Sequence, residues 1–305
     1  MEGVVNEIHK PARRNFPRRP FIVKGINESW QSDLVDMQKY SRENKGFRYL
    51  LVAIDSFTKY AYVKAIKTKK GEDVTRAFAA ILKEHKKAPK NLCVDQGKEY
   101  FNKHFQSLMD EKKINLYHTY SENKASIAER FNRTLKQKLW KKFSLNGNYK
   151  YLDILPKIVS EYNNTVHRTI SMKPKDVTKK NENFLLQTVY NYKNNNNHFK
   201  FKVGDFVRIS KYKHLFRKSY LPNWTTEVFT IKRRLPTYPP TYLLQDYQNN
   251  ILEGCFYEEQ LQKSVHHKVF PIEKVIKRKG NSLFVKWLGF DSTHNSWIDK
   301  SKLEK

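Results

Sequence analysis

Between Trp30 and Ile66 the sequence holds three short runs rich in β-branched and aromatic residues, "WQSDLVDMQKY", "FRYLLVAIDSF" and "TKYAYVKAI". Runs this short and closely spaced predict an antiparallel meander. The period then changes. Residues 71–87 place Val74, Phe78, Ile81 and Leu82 at helical spacing, with Pro89 beyond as a stop. "NLCV" reads as a short buried strand ending at Asp95, residues 98–113 as a helix and "INLYHTY" as another strand. Three strands followed by alternating helix and strand can pack only as an α/β sheet of mixed direction. The next helix is the clearest. In 125–145, Ile127, Phe131, Leu135, Leu139 and Phe143 recur at every fourth position and make one apolar stripe. A further helix is expected at about 151–166.

Outside that core the pattern differs on both sides. Residues 1–28 are basic and broken by proline, which predicts an extended arm rather than a packed unit. The Asn-rich 191–199 is a linker by composition. Residues 200–262 hold only short strands with tight turns, as in a small β-barrel. After a second connection, 263–268, residues 269–305 hold short strands and a terminal turn. The chain is therefore multidomain, with its α/β core at 29–190.

Charge narrows the function classes. Fifty-nine Lys and Arg stand against thirty Asp and Glu, a formal net charge of +29. An excess this large points to a polyanion, most plausibly nucleic acid, as partner. No apolar run approaches the length that spans a bilayer, so no membrane role is expected. Two cysteines, Cys93 and Cys255, exclude a disulfide scaffold and any zinc module that needs two nearby cysteines. A reducing intracellular compartment follows.

Against this basic background three acids stand out: Asp33 in the first strand, Asp95 after the fourth, and Glu129 early in the long helix. Gathered together they would repel unless a cation neutralised them, and oxygen-only ligation suits Mg²⁺ or Mn²⁺. Glu129, Arg133 and Lys136 share one helix face, turned away from the apolar stripe. Each acid also has an ordinary reading. Glu129 and Arg133 form an i,i+4 pair, Asp95 can be a loop acid, and Asp36 and Asp55 are rivals to Asp33.

Taken together, "WQSD", "VDQGKEYFN" and "KASIAERFNRTLK", with "EYNNTVHRTISMKPKDV" closing the segment, resemble the catalytic core of retroviral-type DDE integrases, nearest to the Polinton (Maverick) branch and related DNA viruses. The resemblance implies an RNase H-like fold and puts the three catalytic, metal-binding acids on Asp33, Asp95 and Glu129. It further implies two Mg²⁺ or Mn²⁺ ions, trimming of a DNA 3′ end, and joining of that end to target DNA by a homo-oligomer in the nucleus. Arg133 and Lys136 are then expected to hold element DNA.

"KFKVGDFVRISKYKHLFRKSYLPNW" is similar to the SH3-like C-terminal domain of integrases, with Lys200, Lys202, Arg208, Lys211, Lys213, Arg217 and Lys218 as candidate phosphate contacts. The segment 269–303 resembles a chromodomain. Its methyl-lysine cage maps onto Phe270, Trp287 and Phe290, which implies a methylated histone tail as partner, and Trp297 is expected in the core. Two cage positions carry Phe where Tyr is common, and His294 replaces a residue that is often acidic. The integrases' N-terminal His₂Cys₂ module has no counterpart here. Two alternatives remain at this stage: a domesticated, non-catalytic DNA- and chromatin-binding protein, and another DDE enzyme such as a cut-and-paste transposase.

Overall fold

The computed structural model describes residues 2–13, 15–118, 125–191, 198–211, 220–267, 269–290 and 292–302. The chain forms two compact units, one from residues 21–192 and one from residues 1–20 together with 193–305. It opens with a helix of the second unit, α1 (Glu2–His9).

The first unit is built on five strands: β1 (Ser29–Asp36), β2 (Tyr49–Asp55), β3 (Ala61–Ile66), β4 (Asn91–Val94) and β5 (Asn115–His118). Helix α2 (Gly71–His85) links β3 to β4, and α3 (Lys103–Glu111) links β4 to β5. Then come α4 (Ser126–Asn146), α5 (Leu155–Asn163) and α6 (Lys179–Thr188). The sheet order is β3-β2-β1-β4-β5. β1, β2 and β3 pair antiparallel, whereas β4 pairs parallel with β1 and with β5. This is the mixed sheet expected from the change of period along the chain.

Strand β2 shows why its sequence is apolar throughout. Leu51 and Ala53 face α2 and α3, packing with Phe78, Ile81 and Phe105. Leu50, Val52 and Ile54 face α4, packing with Phe131, Leu135 and Leu139. A strand covered on both faces needs no polar alternation. The α4 stripe is buried from Phe131 to Phe143, and Ile127 is half-buried. Two helix ends differ from expectation. Lys86, in the left-handed conformation, ends α2 ahead of Pro89. Residues 98–102 form turns, and α3 starts only after Asn102, whose side chain accepts from the Phe105 N–H at 3.0 Å.

The second unit holds β6 (Phe206–Ile209), β7 (Phe229–Leu235), β8 (Thr241–Gln245), β9 (Phe256–Tyr257) and β10 (Leu261–Lys263). They form an antiparallel sheet in the order β10-β6-β7-β8-β9. Phe201, Val207, Phe229, Ile231, Tyr242 and Leu244 make its core. A three-stranded antiparallel sheet follows: β11 (Ile272–Lys279), β12 (Ser282–Trp287) and β13 (Ser296–Asp299). Leu283 and Val285 are buried in it. Trp297 is not core as expected. It is 49% exposed, its ring 5.3 Å from that of Phe284.

The basic arm is not extended throughout. Val4 and Ile8 of α1 are buried, and the buried Glu7 carboxylate accepts from Arg208 Nε at 3.0 Å and from Ser264 Oγ at 2.9 Å. It also accepts from the backbone N–H groups of Val265 and His266. The expected connection at 263–268 is thereby tied down as far as His266. At the other end of the arm, Val23 is buried with Phe57, Ile170 and Leu185, so residues from Phe21 onward belong with the α/β unit.

Candidate active site

The three acids stand on three neighbouring elements. Asp33 lies mid-way along β1, Asp95 directly follows β4, and Glu129 sits in the first turn of α4. Because β4 lies parallel beside β1, the end of β4 comes alongside the middle of β1. Asp33 is held at both oxygens: Oδ1 accepts from the Leu34 N–H at 2.8 Å and Oδ2 from Asn132 Nδ2 at 2.7 Å. Burial pushes the Asp33 carboxyl up to about 6, with the charges of Asp95 and Glu129 adding to the rise over its two hydrogen bonds. Both other acids therefore lie within electrostatic reach of Asp33.

Their supports come largely from residues that pattern reading does not flag. Helix α4 has Ala125 at its N-cap, which offers no side-chain acceptor. The carboxamide oxygen of Gln31, fully buried on β1, takes that role and accepts from the N–H groups of Ile127 at 2.8 Å and Ala128 at 3.1 Å. The strand that carries Asp33 thus also fixes, through Gln31, the helix turn that carries Glu129. The signal was available only indirectly, as a helix start without a capping residue. Asn132, one turn along α4 from Ala128, orients Asp33 from the other side.

The turn after Asp95 is fixed in the same economical way. Asp95 Oδ1 accepts from the Gly97 N–H at 3.2 Å. A Cβ at Gly97 would meet Glu99 Cδ at 2.5 Å, so the glycine leaves room for the Glu99 side chain to fold back. Glu99 lies ahead of α3, which starts at Lys103, although the sequence pattern placed it inside a helix over 98–113. Tyr100 is fully buried, with its hydroxyl 3.1 Å from Ser32 Oγ on β1.

Asp33, Glu129, Asn132, Arg133, Lys136 and Gln137 line one open concavity. Arg133 and Lys136 are exposed there, on the face of α4 that carries Glu129. The rival acids lie elsewhere in role. Asp55 is buried and opens the turn after β2, accepting from the Phe57 N–H and from Thr58 Oγ1. Asp36 accepts from the backbone and side chain of Gln38.

Among the described residues, no three His, Cys, Asp or Glu side chains are gathered into a group that could hold one metal ion. The charges of Asp95 and Glu129 are felt at Asp33, where they add to the rise caused by burial. The chemistry of the donor set nonetheless fits a hard divalent cation, since every donor is a carboxylate oxygen and a cation would relieve the strain at Asp33.

The expected nucleic-acid contacts divide. Lys200 and Lys202 are exposed and Lys211 is half-buried. Arg208 is withdrawn: it is 0% exposed, with Nε on Glu7 and Nη1 on the carbonyls of Thr225 and Thr226. A guanidinium in that network has no face for a phosphate. Lys213, Arg217 and Lys218 lie outside the described residues. The three expected cage aromatics do meet. The Phe270 ring is 6.2 Å from Trp287 and 5.8 Å from Phe290, both nearly perpendicular.

Residues 24–124 match the integrase core domain family. An uncharacterised transposon-derived protein of Caenorhabditis elegans is 38% identical over 193 residues, which cover 63% of this chain and 65% of that protein. The chain thus spans a little under two thirds of that relative. A chain in the cryo-EM structure of the simian T-cell lymphotropic virus intasome, in complex with the PP2A regulatory subunit B56 gamma, superposes with a TM-score of 0.56. It is 15% identical, and the match covers 84% of each chain, so the likeness is one of fold. The HTLV-2 integrase catalytic core domain in complex with magnesium matches 50% of this chain and 95% of its own, at 19% identity and a TM-score of 0.42.

Proposed function

We propose that this protein is a DNA integrase that trims the 3′ ends of viral or transposon DNA and joins them to target DNA. Asp33 and Glu129 on one open cleft with Arg133 and Lys136, and Asp95 at the end of the strand paired with β1, carry the reading. These carboxylates would hold divalent metal, Mg²⁺ or Mn²⁺, which supplies Lewis-acid activation of the attacking and leaving oxygens. Asn132 keeps the Asp33 carboxylate in one orientation, and Gln31 keeps the turn of α4 that bears Glu129 against β1. Arg133 and Lys136 offer charge to the phosphodiester at the mouth of the cleft. In trimming, water attacks the phosphorus and a 3′-hydroxyl end is released. In joining, that 3′-hydroxyl attacks a target phosphorus, one P–O bond forms and another breaks, and no external energy source is needed.

The rest of the chain fits the same reading. The strand unit of residues 200–262 is proposed as an SH3-like DNA-binding domain using Lys200, Lys202 and Lys211. Residues 269–305 are proposed as a chromodomain that binds a methylated histone tail through Phe270, Trp287 and Phe290. A homo-oligomer of the Polinton-related type acting in the nucleus completes the proposal. The decisive experiment is strand transfer with matched terminal DNA ends in Mg²⁺. Asp95→Asn is expected to lower joining by at least about 1000-fold while DNA affinity changes little, and wild-type joining by that variant would refute the assignment.

A further inference from the structure

The cage aromatics do not enclose their space alone. In the second unit a cavity is bounded on one side by Phe270, Trp287 and Phe290, and on the other by Phe206, Glu227 and Tyr247 of the five-stranded sheet and its loops. The two sides are in intimate contact. Gly289 has φ +86°, and a Cβ there would meet Thr226 Oγ1 at 1.9 Å, so the loop carrying Phe290 lies directly on the residue before Glu227. His294 closes one edge, its ring hydrogen-bonded to the Tyr247 hydroxyl and to Thr293 Oγ1.

Glu227 is the chemically odd member of this wall. It is half-buried among aromatic rings, and its carboxylate forms no hydrogen bond or ion pair among the described residues. Burial and the charge of Asp246 raise its pKa above the usual carboxylate range, against a lowering effect of His294. An acid in that position is stabilised by a cation entering the cavity. Aromatic faces attract any methylated ammonium through its spread positive charge. A carboxylate adds a distinction, because it accepts a charge-assisted hydrogen bond only from an ammonium that still has an N–H. Monomethyllysine has two to give and dimethyllysine one, whereas trimethyllysine has none.

We propose that Glu227, supplied by the five-stranded unit, is the acidic wall of a composite cage and selects dimethyllysine over trimethyllysine. The inference rests on the cage reading proposed above and adds a specificity residue from outside residues 269–305. The test uses the full chain and fluorescein-labelled histone H3 tail peptides that are unmethylated, dimethylated or trimethylated at one lysine, read by fluorescence polarisation. Wild type is expected to bind the dimethyl peptide about five-fold more tightly than the trimethyl one. Glu227→Gln should erase that preference while leaving trimethyl affinity within about two-fold, and Glu227→Asp should retain part of it. Trp287→Ala should abolish binding of both. Methyl-dependent binding that is lost in Trp287→Ala but keeps its preference in Glu227→Gln would overturn the role of Glu227 and leave the cage intact. A wild-type preference for the trimethyl peptide would do the same. No binding of any methylated peptide at high micromolar concentration would overturn the cage itself, and this inference with it.

Discussion

Asp33 holds its charge at a cost that can be measured without any catalysis. Its carboxyl is pushed up to about 6 from an ordinary 3.8, first by burial and then by Asp95 and Glu129. Between those values the folded chain binds the proton and the unfolded chain does not, so stability falls as pH rises through that window. Above about pH 6 the penalty is complete. Asp33→Asn should therefore raise the melting temperature of the metal-free protein at pH 7.5 and have little effect near pH 4. Adding Mg²⁺ should stabilise wild type at pH 7.5 and the variant far less. Equal melting temperatures for the two proteins at pH 7.5, both without and with Mg²⁺, would contradict the cluster. The acids were legible in sequence because chemistry fixes their identity and motifs flank them. Gln31 and Asn132 were not, because nothing local distinguishes an amide that serves a helix or carboxylate about a hundred positions away.

At the scale of elements, α4 is aimed by its first turn. The Gln31 carboxamide accepts from two N–H groups of a helix start whose N-cap, Ala125, makes no side-chain bond to them. Gln31→Ala should destabilise the α/β unit by roughly 1–3 kcal/mol. It should also depress strand transfer more than it depresses DNA affinity, because the turn bearing Glu129 loses its tether while Arg133 and Lys136 remain. Thermal unfolding and a binding isotherm on the same variant separate those effects. Helix α1 makes the opposite case. Its eight residues have a fair apolar face, but Pro11 and the arginines beyond it give the whole stretch the look of an arm. What fixes it is a buried ion pair, and long-range pairing leaves no periodic trace. Glu7→Ala should cost about 3–5 kcal/mol by leaving Arg208 buried and uncompensated. The double change Glu7→Leu with Arg208→Met should recover most of that, as read by denaturant unfolding of the second unit.

Across the molecule, a net charge of +29 makes affinity for DNA a question of which cations remain available. Each phosphate contact steepens the fall of log affinity with log salt by roughly 0.9. Replacing Lys200 and Lys202 together by Ala should flatten that slope by about 1–2 units. The Arg208→Met, Glu7→Leu pair should leave it unchanged, since that guanidinium is enclosed with its own counter-charge. An altered slope in the pair would return Arg208 to the DNA-facing surface. Charge totals legible in the sequence thus set the class of partner, and only burial sorts contacting cations from enclosed ones.

The closure of the second unit by α1 has a bearing on how the polypeptide comes into being. Glu7 leaves the ribosome first and must wait for Arg208, 201 positions later. At about 5–20 residues per second that interval is roughly ten to forty seconds, during which all of the α/β unit emerges and can fold on its own contacts. The buried ion pair that anchors α1 can form only after translation has passed Arg208.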